Sequence, residues 1–141
     1  MDDCIFCRII SGESRGYIVY SDQYAVAFLD AYPLAEGHTL VVPRRHVQRF
    51  EELTEEEACA LSRALLRVSR AISKAFGSEA LTIGVNDGFA AGQVVPHVHV
   101  HVIPRKYGDG AGNIHSIFRG ARRIASMNMD EVARRIASNI E

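Results

Sequence analysis

The sequence has no marked excess of charge of either sign. It contains 16 Lys and Arg against 17 Asp and Glu, which gives a formal net charge of −1. A general electrostatic binder of nucleic acid or of a membrane surface normally carries a clear basic excess or a basic stripe. Neither is visible in the sequence. We therefore predict that the chain binds neither nucleic acid nor membrane.

Long hydrophobic runs and a secretory signal are also missing. No stretch approaches the roughly 18 apolar residues that a membrane span needs. The chain begins Met1-Asp2-Asp3, without the basic segment and apolar run of a signal peptide. Cysteine is scarce, with three residues, an odd count that does not suit a disulfide framework. We expect a cytoplasmic protein whose thiols are buried or bind a metal.

The composition is that of a single globular domain. The chain has 141 residues, of which 48% are hydrophobic and 23% are charged. A chain of this length buries about two thirds of its unfolded surface, and these fractions exclude disorder as its main state. The sequence shows no internal repeat. We therefore interpret residues 1–141 as one domain.

Local sequence patterns predict short strands that follow one another closely. The predicted elements are a helix from about Cys4 to Ile10 capped by Asp3 and closed by Ser11-Gly12, strands at Tyr17–Tyr20, Tyr24–Leu29, His38–Val42, Leu81–Val85 and His97–Ile103, and a last helix from about Met129 to Ile140. Pro43 and Pro104 are predicted to end the third and fifth strands. Because few crossover helices separate the strands, we predict an α+β fold with an antiparallel meander of about five strands.

One long helix is predicted between the third and fourth strands. Thr54 and Glu57 form a capping-box pattern at its start, and Gly77 ends it. Apolar residues then recur at steps of three and four, as expected for the buried stripe of an amphipathic helix: Ala58, Leu61, Leu65, Val68, Ile72 and Ala75. The helix is therefore predicted to cover about 20 residues.

Three histidines alternate with valine in His97-Val98-His99-Val100-His101-Val102-Ile103. Residues two apart in a strand point the same way, so the imidazoles are predicted to line one face and the valines to pack into the core. Adjacent imidazoles resist simultaneous protonation. A set of neutral and protonated imidazoles suits attack on phosphorus, because a neutral ring attacks while its neighbours donate hydrogen bonds to oxygens that gain charge. The alternative is a solvated histidine-rich strand or an incidental metal site.

This segment resembles the HxHxHxx signature, with apolar residues at each x, of the histidine triad (HIT) family of nucleotide hydrolases and transferases. Further segments are similar to the family in order and spacing: Cys4-Ile5-Phe6-Cys7-Arg8-Ile9-Ile10, Ala27-Phe28-Leu29-Asp30, Gly37-His38-Thr39-Leu40-Val41-Val42-Pro43-Arg44-Arg45-His46 and Gly92-Gln93-Val94-Val95-Pro96. The resemblance covers about residues 4–105, and the C-terminal segment 106–141 is poorly covered. It implies a HIT-like fold of the HINT-like, bacterial branch.

The resemblance implies a role for four histidines. His99 is expected to be the nucleophile, which attacks the α-phosphorus and forms a nucleotidyl-histidine intermediate. His101 would contact the phosphate oxygens, and His97 would orient the site through a backbone carbonyl or a metal. His38 would lie behind the triad and hold a ring tautomer, although a satisfied histidine at the start of a strand is the alternative.

The resemblance also implies a nucleotide-binding set. Asp30 would accept hydrogen bonds from the ribose hydroxyls, Asn86 would contact phosphate, and Gly92 and Gln93 would hold the phosphate or the leaving group. An ordinary turn at Asn86-Asp87-Gly88 is the alternative for Asn86. The apolar base pocket would consist of Ile5, Phe6, Ile9, Phe28 and Leu40, each of which can equally be a core residue.

Cys4 and Cys7 form a CxxC pair on one helical face, which alone is moderate evidence for a metal. HIT relatives that carry this pair hold a structural Zn²⁺. The resemblance implies that Cys4, Cys7, His46 and His97 would be its ligands in this chain. Buried inert thiols and a redox pair are the alternatives. Cys59 is expected only to pack, and His115 has no partner in this interpretation.

The sequence therefore predicts a hydrolase that cleaves a substituted nucleoside 5′-phosphate and releases AMP or GMP. A phosphoramidate, an acyl-adenylate and a dinucleoside polyphosphate are candidate substrates, with a slight preference for the first because the chain is short. A nucleotide-binding or scaffold protein with slow catalysis is the main alternative, and a hydrolase with catalytic zinc on the triad is a third. The family resemblance also implies a homodimer.

Overall fold

A computed structural model describes residues 3–120 and 128–141. Its helices and strands are α1 (Ile5–Ser11), β1 (Ile18–Ser21), β2 (Ala25–Leu29), β3 (Thr39–Pro43), α2 (Glu55–Phe76), β4 (Ala80–Gly84), β5 (Val100–Arg105) and α3 (Met129–Ala137). The predicted order of elements and the α+β class are confirmed. No helix in the described ranges is long and apolar enough to cross a membrane.

The five strands form one antiparallel sheet in the order β1-β2-β3-β5-β4. The predicted meander therefore holds for the first three strands but does not continue through all five. The 22-residue α2 follows β3 and returns the chain to the far edge of the sheet. β4 begins there, so β5 is the strand that enters the centre of the sheet beside β3.

The two faces of the sheet carry separate apolar clusters. On one face, the alternating Val98, Val100 and Val102 pack with α2, as predicted from the sequence. On the other face, Phe28 and Leu40 belong to a cluster that includes residues of α1. Leu40 is opposite His101 in the register of β3 and β5, so this second face carries the histidines.

The predicted strand end at proline is confirmed for Pro43 and wrong for Pro104. Pro43 is the last residue of β3, whereas Pro104 lies within β5, which continues to Arg105. The β3–β5 pairing covers only Thr39 to Val41 opposite Val102 to Val100. Each proline thus lies beyond the β3–β5 pairing, and its paired neighbour is β2 for Pro43 and β4 for Pro104. A missing N–H therefore costs the sheet little there.

The helix ends confirm most of the predicted signals. α1 begins after Cys4, not Asp3: the Cys4 side chain accepts from the Cys7 N–H, and Gly12 closes the helix at φ 86°. The Thr54–Glu57 capping box of α2 is present, and Gly77 ends that helix at φ 57°. Cys4 is buried, so the residue that caps α1 is also a member of the cysteine and histidine group described below.

The predicted stripe of α2 needs one correction. Leu61, Val68 and Ile72 are buried, Ala58 and Leu65 are half-buried, Ala75 is exposed, and the unpredicted Ala60 and Ala64 are buried. The buried face is rotated towards these alanines because their small side chains let the helix approach the valines of the sheet.

The chain forms two compact units, residues 1–109 and 110–141. The first contains the sheet, α1 and α2, and the second contains α3. The boundary lies close to residue 105, where the family resemblance ends. The interpretation of the whole chain as one domain stays a prediction.

Candidate active site and metal site

The three histidines of the motif divide between two side-chain groups. Only His101 lies within β5, because His97 and His99 precede the first residue that pairs with β3. The Nε2–H of His97 donates to the carbonyl oxygen of Pro43 at 2.8 Å, where the β3–β5 pairing has already ended. The His97 ring is thereby directed towards α1, whereas the rings of His99 and His101 are 5.0 Å apart.

Cys4, Cys7, His46 and His97 form the first group, called here the metal group, with one ligand atom from each residue within 4.8 Å of the others. The Nδ1 atoms of His46 and His97 are 3.3 Å apart. The Cys7 Sγ is 3.3 Å from His46 Nδ1 and 3.5 Å from His97 Nδ1, and the Cys4 Sγ is also 3.5 Å from His97 Nδ1. All four residues of the predicted zinc set thus converge on one point.

These distances fit a tetrahedral zinc ion. With Zn–N bonds of about 2.0 Å and Zn–S bonds of about 2.3 Å, neighbouring ligand atoms of a tetrahedron lie roughly 3.3–3.8 Å apart. The Pro43 carbonyl also fixes the tautomer of His97, because a proton on Nε2 leaves the Nδ1 lone pair facing the group. Four protein ligands would fill the coordination sphere, which is the pattern of a structural site.

Burial sets the titration of this group and keeps it uncharged. Burial, together with the neighbouring Cys4, raises the pKa of the Cys7 thiol to about 11. Burial lowers the pKa of His97 to about 4, which keeps the ring neutral at neutral pH and its lone pair available. Zinc would bind the thiolate form of cysteine, so its binding would displace a proton from Cys7.

His99 has its Nδ1 committed to the backbone. The Nδ1–H donates to the carbonyl oxygen of His97 at 2.7 Å. In a neutral imidazole only one nitrogen carries hydrogen, so the Nε2 of His99 carries the lone pair. The His99 ring is mostly buried. It packs edge-to-face with the Phe6 ring, and the two ring centroids are 5.1 Å apart. His99 therefore presents a single unprotonated nitrogen for reaction with an electrophile.

His38 and His101 form a relay of hydrogen bonds. The backbone N–H of Leu34 donates to His38 Nδ1 at 3.0 Å, which places the His38 proton on Nε2. That Nε2–H donates to His101 Nδ1 at 2.9 Å. The proton of a neutral His101 is consequently on its Nε2, the ring atom that can donate to a ligand. These contacts are the ones that the predicted tautomer-holding role of His38 requires, and the role itself stays a prediction.

Asp30 borders this relay. Its Oδ2 is 3.4 Å from His38 Nε2 and 3.9 Å from His101 Nδ1, and its Oδ1 accepts from the backbone N–H of Tyr32. Burial lowers the pKa of His38 against the opposing effect of Asp30. Burial, reinforced by His99 and His38, lowers the pKa of His101 to about 4. Both rings are therefore neutral at neutral pH.

Asp30, His38 and His101 also have the residue types of a metal site, with one possible ligand atom from each within 4.8 Å of the others. The Leu34 N–H keeps the proton of His38 on Nε2, the atom that would have to bind the cation. A neutral imidazole binds metal only through its unprotonated nitrogen. This arrangement favours a hydrogen-bonding relay over a metal site.

The apolar residues predicted for the base pocket lie mostly beside these rings. Phe6, Phe28 and Leu40 are buried in one cluster, and Ile9 packs against it. The Phe6 ring contacts both Phe28 and His99. Ile5 is 36% exposed and lies outside the buried part of the cluster. These residues can form a wall beside His99, with Ile5 at its outer edge.

The loop between β4 and the triad is called here the glycine loop (residues 86–95). The Gln93 side chain is buried, its Oε1 accepts from the N–H of Gly88, and its Nε2 donates to the carbonyl of Gln48. Both ends of this amide are engaged by backbone, and a contact of Gln93 with phosphate stays a prediction. Gly92 has φ 92°, a conformation suited to glycine, and Asn86 is exposed beyond the end of β4.

Sequence reasoning anticipated a backbone carbonyl as a partner of His97 but did not identify the residues that supply the backbone partners of the site. The carbonyls of Pro43 and His97 and the N–H of Leu34 each fix one histidine. The carboxylate of Asp87 was also missed, and it accepts from the N–H of Phe50 at 2.8 Å. The Asp-Gly pair after Asn86 was a signal for a turn, but nothing in the sequence identified residue 50 as its partner.

Comparison with solved structures shows that the fold is shared by other proteins. A crystal structure of a HIT family protein from Bacillus anthracis superimposes with a TM-score of 0.85 at 32% identity and covers 99% of each chain. A zinc-bound histidine triad family protein from Mycobacterium smegmatis has a TM-score of 0.73 at 34% identity, covering 77% of this chain and 79% of that one.

Relatives in sequence include proteins with and without a known activity. An uncharacterized HIT-like protein of Methanocaldococcus jannaschii is 45% identical over 107 residues, 76% of this chain and 82% of that protein. An adenylylsulfatase of Arabidopsis thaliana is 43% identical over 108 residues, 77% of this chain and 55% of the enzyme. The asymmetrical bis(5′-nucleosyl)-tetraphosphatase of Schizosaccharomyces pombe is 43% identical over 96 residues, 68% and 53% of the two chains.

The model of the HIT domain matches residues 11–108, which include the histidine motif, the relay and the glycine loop. The family model therefore covers more than half of the chain, and the fold is that of HIT family structures. The chain belongs to the HIT (histidine triad) family.

Proposed function

We propose that the protein is a nucleotidyl hydrolase that cleaves a substituted nucleoside 5′-phosphate through a covalent intermediate on His99. One observation carries the proposal: the Nδ1–H of His99 is held by the His97 carbonyl at 2.7 Å, which leaves the Nε2 lone pair for attack. An orienting acceptor behind an imidazole also stabilises the positive charge that the ring gains when it forms a bond. His99 thus has the features of an activated nucleophile.

In the first step, the Nε2 of His99 would form a bond to the α-phosphorus while the bond from phosphorus to the leaving group breaks. The leaving group would keep the bonding electron pair and, where it is basic, take a proton from solvent. In the second step, water would attack the phosphorus and lose one proton to solvent, the N–P bond would break with its electron pair returning to Nε2, and the nucleoside monophosphate would be released. His99 would return to its neutral tautomer.

His101 supports this chemistry as a donor. The relay from Leu34 through His38 sets its proton on Nε2, from which it can donate to a phosphoryl oxygen that gains charge. A carboxylate accepts hydrogen bonds only, so Asp30 next to the relay suits a ribose hydroxyl. Zinc, held by Cys4, Cys7, His46 and His97, would supply structural support and no reacting atom.

The named relatives suggest the class of leaving group. The Arabidopsis relative is named as an adenylylsulfatase and the fission-yeast relative as a bis(5′-nucleosyl)-tetraphosphatase. Both names describe a substituent on a nucleoside 5′-phosphate. We propose a purine nucleotide substrate with release of AMP or GMP, and we keep a phosphoramidate beside these two anhydrides in the substrate panel.

The decisive experiment compares wild type with His99→Ala and with His115→Ala, which changes an exposed histidine. AMP release is measured from an adenosine phosphoramidate, adenylyl sulfate and a diadenosine polyphosphate. We expect His99→Ala to lose at least about 10³-fold in kcat/KM and His115→Ala to stay within twofold of wild type. Mass spectrometry of the quenched wild type should detect a nucleotidyl adduct on His99.

Two results would contradict the proposal in different ways. Unchanged turnover by His99→Ala would refute the nucleophile. No turnover by wild type on any substrate, with tight AMP binding retained, would favour a nucleotide-binding or scaffold protein. The observation that favours this alternative is that His99 is only 7% exposed.

We also propose a homodimer in the cytoplasm. The sheet ends at β4, an edge strand whose Ile83 is 46% exposed and can pair with a second copy across a two-fold axis. Reduced cysteines gathered as metal ligands suit a reducing compartment. Light scattering should give twice the chain mass of 15.6 kDa.

The edge strands offer a matched pair of variants for the dimer. Ile83→Lys on β4 should shift the protein to a monomer, because a buried interface would have to take up a charge. Ile18→Lys on β1, at the opposite edge of the sheet, should leave the mass unchanged. A monomeric wild type, or dimers of both variants, would contradict this interface.

A further inference from the structure

The metal group and the glycine loop are joined by a short segment of chain, residues 46–50, here called the strap. Its first residue, His46, belongs to the metal group. Its remaining residues run beside residues 87–98 and bond to them repeatedly. The strap is therefore a direct physical connection between a site that would hold zinc and a loop that would hold phosphate.

The first two of these bonds fix the start of the strap. The carbonyl of Val47 accepts from the N–H of Val98 at 2.8 Å, directly between His97 and His99 in sequence. The carbonyl of Gln48 accepts from the Nε2 of Gln93 at 2.9 Å. One contact thus reaches the triad, and the next reaches the buried end of the glycine loop.

Gln93 closes the loop on itself as well as on the strap. Its Oε1 accepts from the N–H of Gly88 at 2.8 Å, and its backbone N–H donates to the carbonyl of Gly88. The side chain is only 4% exposed. Because a buried amide is costly to leave unpaired, Gln93 holds residues 88–93 in one conformation as long as the carbonyl of Gln48 stays in place.

Asp87 provides the second connection. Its Oδ1 accepts from the N–H of Phe50 at 2.8 Å, and its Oδ2 is 3.5 Å from the Nε of Arg49. The carboxylate therefore contacts two consecutive residues at the end of the strap. Together with Gln93, it fixes the glycine loop at both of its ends.

We propose that the strap couples the metal group to the glycine loop, with Asp87 and Gln93 as the positioning residues that transmit the coupling. The proposal rests on the proposed function in one respect, namely that the glycine loop holds the phosphate of the nucleotide. A metal that fixes His46 fixes the start of the strap, and the loop bonds then form without further ordering of the chain.

Coupling of this kind is reciprocal. If zinc strengthens the binding of AMP by some factor, AMP strengthens the binding of zinc by the same factor. We expect about tenfold, within the usual range for coupled sites. The effect is one of positioning, so neither Asp87 nor Gln93 has to touch the reacting atoms.

The first test uses amide hydrogen exchange of zinc-loaded and chelator-treated wild type, without nucleotide. Removal of the metal should speed exchange of the Phe50 and Gly88 amides at least about tenfold. These amides donate to the side chains of Asp87 and Gln93, which are held in place only while the strap is ordered. The Tyr24 and Ala25 amides, which donate to the Oδ1 of Asp22 at 2.8 Å, are matched controls and should not change.

The second test measures zinc affinity by chelator competition with and without AMP. In wild type, AMP should strengthen zinc binding about tenfold, and zinc should strengthen AMP binding by the same factor. In Asp87→Ala and in Gln93→Ala, this factor should fall below about two. Asp87→Asn, which keeps an acceptor oxygen for Phe50, should retain most of the coupling. Glu79→Ala, which removes a similar bond to the Tyr107 N–H at 3.0 Å, should retain all of it.

The two tests separate this proposal from the proposed function. Equal exchange with and without metal, or equal acceleration of the control amides, overturns the strap while hydrolysis by His99 stands. A wild type that binds no AMP contradicts the proposed function, and the exchange data then still decide the strap. A coupling factor that survives in both alanine variants removes Asp87 and Gln93 as its carriers.

Discussion

Four histidines of the two groups, His38, His97, His99 and His101, have at least one ring nitrogen hydrogen-bonded within the protein. His97 donates to Pro43, His99 donates to the carbonyl of His97, and His38 both accepts from Leu34 and donates to His101. The second nitrogen of each ring is thereby given a defined protonation state. The chemistry of the site follows from these backbone contacts as much as from the histidines themselves.

The lowered pKa of His101 predicts a loss of stability in acid. Its pKa is about 4 in the folded protein, below the value of 6.5 that an unfolded histidine has. Between these values the unfolded chain binds more protons. The stability contributed by the neutral ring is therefore complete above pH 6.5 and is lost as the pH falls towards 4.

This prediction is tested by urea unfolding of wild type and His101→Gln between pH 7 and pH 4. The free energy of unfolding of wild type should fall relative to the variant by on the order of 2 kcal/mol across this range. The neighbouring titratable groups, Asp30, His38 and His99, are present in both proteins. Parallel curves for the two proteins would contradict it, and His115→Gln serves as the control.

The sequence predicted which side chains meet but not how they are fixed. The convergence of Cys4, Cys7, His46 and His97 was expected from the family resemblance, and the structure brings them together. A backbone carbonyl was expected for His97, but the residues that supply such partners were not predictable, because they depend on where the chain leaves the sheet. The side-chain partners of Gln93 were unpredictable for the same reason: one of them is a backbone carbonyl 45 residues away in sequence.

At the scale of elements, alternation and capping signals were reliable, and strand ends were not. The alternation predicted the buried face of residues 98–102, and the helix signals located both ends of α2. Proline marked the end of β3 but not that of β5, because the cost of its missing N–H depends on how many strands flank it. The number of neighbouring strands is a property of the sheet order, which short-range patterns do not contain.

The capping box of α2 predicts a measurable contribution to stability. The Thr54 hydroxyl accepts from the N–H of Glu57 at 3.1 Å, and the Glu57 carboxylate accepts from the N–H of Thr54 at 2.9 Å. Thr54→Ala should lower the free energy of unfolding by about 1 kcal/mol, measured by urea denaturation. Thr54→Ser should remain within about 0.5 kcal/mol of wild type; an equal loss in both would refute the role of the hydroxyl.

At the scale of the whole molecule, the metal group joins three distant parts of the chain. Its ligands come from the start of α1, from the segment after β3 and from the segment before β5. Zinc that binds the folded state should therefore raise the thermal midpoint. At a thousandfold excess over its Kd, the gain is about 4 kcal/mol.

Metal analysis and calorimetry of three proteins test this prediction. Wild type should contain one zinc per chain and lose thermal stability on treatment with a chelator, whereas a Cys4→Ser, Cys7→Ser variant should contain little zinc and not respond. Cys59→Ser changes an exposed cysteine outside the group and should behave as wild type. Equal, near-zero zinc in wild type and the double variant would refute the site.

His97 takes part in both sites. Its ring belongs to the metal group, and its backbone carbonyl accepts the hydrogen bond from His99. Neither centre can therefore be altered without consequence for its neighbour. A redesign that exchanges the ligands for a different ion would also move the oxygen that orients the nucleophile. Substitution of Cys4 or Cys7 should accordingly disturb the hydrogen bond from His99, although neither cysteine contacts that ring through any described hydrogen bond.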